Sequence, residues 1–251
     1  MNRAHIIAAI LAGAIAVGMA TEYEFGRSRI SPGARQQEGL SSKVDSSIVG
    51  NLALWNEYNF NNGSIVYDLS GNNNTGTVSG ATWTADGRGG YFDFDGSNDK
   101  IEIPATTTLN FTGNMTLSAW IYPDNVGEGG AGRIFQRAGT GGYGWTLIAT
   151  NRMLFYAGGG NLAYSKHNAV TYGQWQHVAV TRTGSAVKFY VNGVQAGTSV
   201  VATISSESVV ATIGSNVDTT RVFDGKIDSF RALSVALTSN QVYKIYHGKR
   251  Q

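Results

Sequence analysis

Short runs of alternating apolar and polar residues, each closed by a turn cluster, recur from Leu52 onward. The clearest are Tyr91–Phe94, Lys100–Ile103 and Met115–Ile121, and each places alternate side chains on one face of a strand. The 33 glycines and only 3 prolines suit the tight turns between such strands. The pattern therefore predicts an all-β fold built from many short strands.

Two local signals predict individual elements. Val187–Val191 is followed by Asn192-Gly193, and both turn residues tolerate the positive φ angles of a type I′ turn, which predicts a β-hairpin. Thr238–Tyr246 carries apolar residues at helical spacing and predicts a short C-terminal helix.

Composition excludes several classes of protein. Apolar residues make up 42% of the chain and charged residues 14%, so the sequence can fill a core. From Leu52 to Tyr246 there are 12 basic and 13 acidic residues, with no basic stripe interleaved with aromatics. Nucleic acid is therefore not an expected partner. Because cysteine is absent, disulfides and thiol catalysis are excluded.

The N-terminal part of the sequence divides into two segments. Residues 1–20 begin with a short basic part that contains Arg3, and the uncharged run Ile6–Ala20 follows it. Such a segment is either a cleaved export signal or an uncleaved helix that anchors the chain in a membrane. Residues 21–50 are polar and predict a linker or stalk, and residues 51–251 form the folded domain. Either alternative predicts a secreted or surface-exposed protein.

Motifs along the predicted domain point to a known family. They are, in chain order, Trp55–Phe60 with Val66–Gly76, Phe92–Ile101 with Met115–Pro123, Trp175–Thr181 with Tyr190–Gly193, and Ile213-Gly214 with Phe223–Arg231 and Ala236–Thr238. In this order they resemble the laminin-G-like jelly-roll domains of the concanavalin A-like lectin/glucanase superfamily. The resemblance implies a two-sheet antiparallel jelly-roll sandwich. The alternation agrees with it, with Trp120, Val178, Val180 and Phe189 expected in the core.

The resemblance also implies a structural calcium ion. In related domains calcium often ties an early loop to a late strand, which here would recruit Asp68, Asn72 and Asp228, since hard cations take several oxygen ligands. In the alternative interpretation the loop residues form Asx turns, and Asp228 pairs with Arg231 or with backbone amides.

A glycine-rich stretch in the middle of the chain supplies the candidate ligand-binding residues. Sugar binding needs exposed aromatic faces and planar polar side chains. The candidates are Tyr143, Trp145, Tyr156, Asn161 and Tyr164. Packing of the aromatic residues in the core is the alternative.

Catalytic motifs are absent from the sequence. It contains no His-Glu-x-x-His, no P-loop and no Gly-x-Ser-x-Gly. Asp93 and Asp95 come nearest to the paired carboxylates of a glycosidase, but they lack a second glutamate at the required spacing. His177 lies in a strand pattern and is expected to be a hydrogen-bonded strand residue. The chain is therefore not expected to be an enzyme.

Two functions remain open at this point. The first is a non-catalytic, surface-displayed binding domain for carbohydrate or adhesion, whose partners are glycans or neighbouring proteins. The alternative is a structural subunit of a virion, filament or membrane complex, anchored in the membrane through residues 1–20. A lectin-like fold can serve either function.

Overall fold

A computed structural model describes residues 48, 50–58, 63–86, 89–137, 142–158, 160–200, 204 and 208–248. The predicted signal or anchor helix at 1–20 lies outside the described residues, as does the predicted linker at 21–50 except for Ile48 and Gly50. Among the described residues no helix has the length and apolar character needed to cross a membrane.

The regular secondary structure of the described residues is almost entirely β-strand. Its strands are β1 Leu52–Trp55, β2 Ile65–Val66, β3 Gly76–Ser79, β4 Thr82–Asp86, β5 Gly89–Asp95, β6 Lys100–Ile103, β7 Met115–Pro123, β8 Arg133–Arg137, β9 Tyr143–Ile148, β10 Arg152–Ala157, β11 Asn161–Tyr164, β12 Gln176–Thr183, β13 Ala186–Val191, β14 Val194–Val200, β15 Ala211–Ile213 and β16 Asp224–Leu233. A short 3-10 helix spans Glu128–Gly130, and helix α1 spans Ser239–Gly248.

The strands form two antiparallel sheets. The first sheet has the order β14-β13-β12-β7-β16-β5-β4, with β1 also paired to β16. The second sheet has the order β11-β10-β9-β8-β15-β6-β3-β2. Because chain neighbours are often separated in this order, the chain crosses repeatedly between the sheets, as in a jelly roll. The predicted all-β two-sheet sandwich is confirmed.

A core of apolar side chains fills the space between the sheets. On the first sheet Val178, Val180 and Phe189 belong to this core, as predicted. Trp120 does not, because Leu117, Ala119 and Ile121 take the inward positions of β7 and leave Trp120 on the outer face. The predicted inward position of Trp120 was therefore wrong, although the side chain is buried.

Helix α1 explains why the outward-facing Trp120 is buried. The Tyr246 ring lies 5.6 Å from the Trp120 ring and 6.1 Å from the His177 ring. Thr238 caps the helix: its hydroxyl accepts from the amide of Gln241, whose side-chain oxygen accepts from the amide of Thr238. This reciprocal capping box fixes the helix start. The predicted C-terminal helix is confirmed.

The predicted hairpin is also present. Strands β13 and β14 pair through Val191 and Val194 around the turn Asn192-Gly193. Both turn residues have positive φ, 49° for Asn192 and 77° for Gly193, as a type I′ turn requires.

A bulge in β16 creates a buried polar cluster on the outer face of the first sheet. The register shifts between Asp228 and Arg231, and Ser229 adopts a φ of 53°. Arg231 forms an ion pair with Glu57, whose other carboxylate oxygen accepts from the Ser229 hydroxyl at 3.0 Å. The side chains are buried, so this pair ties the segment after β1 to the central strand β16.

His177 is buried beside this cluster. Its backbone amide donates to the Asn192 side chain, and its ring packs between Trp120 and Tyr246. Burial, and secondarily the positive charge of Arg231, lower the pKa of His177 to about 3. The imidazole is therefore neutral at physiological pH.

We predict that His177 makes the stability of the fold depend on pH. Its pKa falls from an ordinary 6.5 to about 3 on folding, so between these values the unfolded chain binds a proton that the folded chain does not. The free energy of unfolding therefore rises with pH across this window, by up to about 1.4 kcal/mol per pH unit, and levels off above it.

Urea unfolding at about pH 4.5 and about pH 7.5 checks this prediction. In His177→Gln the stability difference between the two pH values should shrink by about 2–3 kcal/mol. His167→Gln, at an exposed position, should keep the wild-type difference. A wild-type pH dependence in His177→Gln would contradict the assignment.

Candidate ligand-binding face

Two of the residues predicted to bind calcium, Asp68 and Asn72, make hydrogen bonds to the backbone around their own loop. Asp68 Oδ1 accepts from the amides of Trp55 and Ser70, and Oδ2 accepts from the Ser70 hydroxyl and the Asn74 amide. A carboxylate offers about four acceptor sites, so the chain's own donors use all of them. The side-chain Nδ2 of Asn72 donates to the carbonyl of Leu52.

Asp228 belongs to a different environment. Asp228 lies in β16, opposite Trp120 of β7, and its carboxylate accepts a hydrogen bond from the Ser229 hydroxyl. Across the described ranges no group of three or more His, Cys, Asp or Glu side chains is arranged to hold a metal ion. Asp68 thus forms an Asx turn with Ser70, as in the alternative interpretation. Calcium binding stays a prediction.

Two of the predicted ligand residues lie in the core. Tyr143 and Trp145 have no exposed surface, and Trp145 pairs in register with the core residue Phe155. The Tyr143 hydroxyl donates to the carbonyl of Leu109, and burial raises the pKa of this hydroxyl. Neither ring can stack on a ligand, so placing Tyr143 and Trp145 on a ligand face was wrong. Both are inward residues of β9.

The predicted tyrosines of β10 and β11 lie on the outer face of the second sheet. In β10 the residues Met153, Phe155 and Ala157 point into the core, so Tyr156 faces outward. Tyr164 pairs with Leu154, which also faces outward. Asn161 begins β11 and pairs with Ala157.

Two arginines that the sequence analysis did not single out stand beside these tyrosines. We call this surface the arginine–tyrosine face and define it by six residues: Arg133, Arg152, Leu154, Tyr156, Leu162 and Tyr164. Leu162 lies on the edge strand β11 and is 44% exposed, so this side of the face is apolar and open to solvent. The alternation Arg152-x-Leu154-x-Tyr156 along one strand is the signal that could have revealed it.

The first stack joins Arg133 and Tyr156. The guanidinium carbon of Arg133 lies 4.7 Å from the Tyr156 ring centroid. Arg133 Nε donates to the side-chain oxygen of Asn216 at 2.7 Å, which fixes the guanidinium over the ring. The ring itself lies against Gly144 of the neighbouring strand, where a Cβ atom would overlap it.

The second stack repeats this arrangement with Arg152 and Tyr164. The guanidinium carbon of Arg152 lies 4.5 Å from the Tyr164 ring centroid. Arg152 Nε donates to the carbonyl of Ser165 at 3.0 Å. Each arginine is therefore held by its Nε and supported by an aromatic ring.

Burial changes the pKa values of both groups in the first stack. Burial lowers the pKa of Arg133, the nearby Arg221 lowers it further, and Asp218 opposes the effect. Burial also raises the pKa of Tyr156, against the positive field of Arg133. The stack consists of a guanidinium cation over a neutral phenol at neutral pH.

A second aromatic group lies on the first sheet. The Trp175 ring packs edge-on against Tyr91 at 5.6 Å and against Tyr122 at 5.9 Å. Lys226 lies over the Tyr122 ring, but its ammonium is already paired with Asp124 at 3.6 Å. The cation here has a carboxylate partner, in contrast to the cations of the arginine–tyrosine face.

Comparison with known proteins identifies the family to which this domain belongs. A laminin G-type family model, described as the concanavalin A-like lectin/glucanases superfamily, matches residues 95–243, more than half of the chain. The chain belongs to this superfamily. The matched range includes the whole arginine–tyrosine face. No curated protein matches the sequence.

Solved structures of the superfamily fold include several binding domains. The binding domain of Paraclostridial Mosquitocidal Protein 1 is 16% identical with a TM-score of 0.64, and covers 79% of this chain and 52% of its own. The Botulinum neurotoxin serotype D binding domain is 17% identical with a TM-score of 0.64, covering 81% and 52%. This chain thus spans about half the length of these two toxin domains.

A third structure matches over nearly its whole length. Domain 4 of AbnA, a GH43 extracellular arabinanase from Geobacillus stearothermophilus, was solved in complex with arabinotriose. It is 20% identical to this chain with a TM-score of 0.63, and covers 78% of this chain and 98% of its own. At these identities the similarity concerns the fold.

We predict that Gly144 is required for the position of the Tyr156 ring. In Gly144→Ala the new methyl group overlaps the ring, which should lower the free energy of unfolding by about 1–3 kcal/mol. Gly113→Ala is the matched control, because a Cβ at Gly113 meets nothing within 4 Å. Urea unfolding gives both values.

A double-mutant cycle separates this overlap from a general effect of the methyl group. In a Tyr156→Ala background the ring is gone, so Gly144→Ala should then cost less than about 0.5 kcal/mol. An equal cost in both backgrounds would show that the ring does not rest on Gly144.

Proposed function

We propose that the protein is a non-catalytic carbohydrate-binding domain displayed outside the cell or on a surface, and that it binds its ligand on the arginine–tyrosine face. The observation that carries this proposal is the pair of arginine–tyrosine stacks around the apolar residues Leu154 and Leu162. Sugars present apolar C–H faces and hydroxyl groups together, so a binding surface needs apolar contact area beside fixed polar groups.

The superfamily fold supports a binding function. Two similar structures are binding domains of toxins, and the arabinanase domain was solved with an oligosaccharide. These proteins share the architecture on which the arginine–tyrosine face is a rigid, sheet-borne surface. Function still depends on the local site, and for this reason the proposal rests on the named residues.

The nearest carboxylate pair lies apart from the arginine–tyrosine face. Burial raises the pKa of Asp93, Lys226 opposes this effect, and the carboxylates of Asp124 and Asp224 reinforce it. Asp95 accepts a hydrogen bond from the amide of Ser97 and so holds a turn. Both residues belong to β5 of the first sheet and not to the arginine–tyrosine face.

We predict that the tyrosines of the face contribute directly to glycan affinity. Tyr164→Ala removes both a contact surface and the support of the Arg152 guanidinium, so binding should weaken about tenfold. Tyr156→Ala should act in the same way through Arg133. A glycan array with wild-type protein selects the ligand, and isothermal titration measures the dissociation constants.

Tyr243→Ala is the matched control for this experiment. Tyr243 is 48% exposed on α1, away from the second sheet, so its removal should leave affinity unchanged. A flat array with folded protein would contradict the proposal, as would an equal loss of binding in Tyr243→Ala.

A further inference from the structure

We propose that the ligand of the arginine–tyrosine face is an acidic glycan, with carboxylate or sulfate groups on more than one sugar unit. This inference rests on the proposed function and specifies its ligand class. Its basis is that Arg133 and Arg152 are fixed in the same way and lack anionic partners.

Each guanidinium uses one donor to hold its own position. Arg133 gives its Nε hydrogen to Asn216, and Arg152 gives its Nε hydrogen to Ser165. Neither side chain makes another hydrogen bond to the residues that the structure describes. The two terminal nitrogens of each arginine therefore remain available, as a pair, for planar bidentate binding of a carboxylate or sulfate.

Three other cations in the described ranges differ in this respect. Lys100 pairs with Glu102, Lys226 with Asp124, and Arg231 with Glu57. Within these ranges neither Arg133 nor Arg152 lies within ion-pair distance of a carboxylate. A fixed cation beside an apolar surface attracts an anionic ligand group more strongly than a neutral hydroxyl.

The surrounding charges leave the face positive. Arg221 lies close enough to Arg133 to lower the pKa of its guanidinium, and donates to the carbonyl of Gly129. Asp218 is the acidic neighbour of Arg133; it is fully exposed and accepts hydrogen bonds from Thr220. Glu128 lies beside Arg221, since its carboxylate accepts from the amide of Val222 at 3.2 Å. Three arginines thus stand against two carboxylates, an excess of one positive charge.

Strand geometry separates the two stacks. Arg133 lies on β8 and Arg152 on β10, with β9 between them. Neighbouring strands lie about 4.8 Å apart, so the two backbones are about 10 Å apart across the sheet. The Arg133 guanidinium lies over the Tyr156 ring, which rests on Gly144 of β9, whereas the Arg152 guanidinium lies over Tyr164 of β11. The guanidiniums are therefore also about two strands, or about 10 Å, apart, which is too far for both to bind one carboxylate. This spacing suits a linear oligosaccharide that lies across β8–β11 over Leu154 and carries an acid on each of two units.

Matched pairs of acidic and neutral glycans test the inference. The probes are oligogalacturonate against its methyl ester, and a sulfated galactan against the same galactan without sulfate. Isothermal titration at about 0.05 M and about 0.3 M salt measures affinity and its electrostatic part. We expect the acidic member of at least one pair to bind at least about tenfold tighter, more so at low salt. The pair that responds identifies carboxylate or sulfate as the group bound.

Substitutions then assign the effect to the two arginines. Arg133→Gln and Arg152→Gln should each weaken binding of the acidic probe about tenfold and leave the neutral probe unchanged. The lysine substitutions should restore only part of the loss, because lysine keeps the charge but not the bidentate geometry. Lys188→Gln, exposed on the first sheet, is the matched control. Urea unfolding of each variant excludes a general loss of structure.

The outcomes separate this inference from the proposed function. If neutral glycans bind as tightly as acidic ones and the arginine variants change nothing, the acidic ligand is wrong while carbohydrate binding stands. If no glycan binds to folded protein, both fail. Arginine-dependent binding to phosphatidylserine vesicles without any glycan binding would overturn the inference in favour of a lipid surface.

Discussion

Packing between the two sheets sets the orientation of every strand residue in this domain. Because side chains alternate along a strand, each residue committed to the core sends its neighbours to the outer face. In β10 the inward Phe155 leaves Tyr156 outside, and in β9 the inward Tyr143 and Trp145 leave Gly144 outside. The Tyr156 ring then lies over this glycine, which has no side chain to block it. The arginine–tyrosine face is thus a consequence of the core.

The two outer faces have become different kinds of surface. On the first sheet α1 covers Trp120 and His177, and Glu57 and Arg231 form a buried ion pair beside them. On the second sheet no described helix covers β8–β11, and the arginines there are fixed without anionic partners. A buried ion pair mainly favours one conformation of the folded chain. An exposed arginine that is already held in place is suited to binding a ligand.

Sequence patterns predicted the elements of the fold better than its faces. Asn192-Gly193 specified its hairpin through local backbone preference, and the helix after Thr238 followed from its apolar spacing. Alternation shows that a strand has two faces but not which one meets the other sheet, so Trp120 was placed inward. The same ambiguity put Tyr143 and Trp145 with Tyr156 on one ligand face. The arginine stacks join residues on separate strands, and their contacts depend on register that the sequence alone does not specify.

The location of the ligand is the most direct test of the account. Backbone amide shifts of isotope-labelled protein can be followed by NMR during titration with the tightest-binding glycan of an array. If the ligand lies on the arginine–tyrosine face, the shifting amides should cluster in β8–β11, around Arg133, Arg152 and Tyr164. Shifts centred instead on Tyr122 and Trp175 of the first sheet would contradict the account, because the ligand would then occupy the other aromatic group.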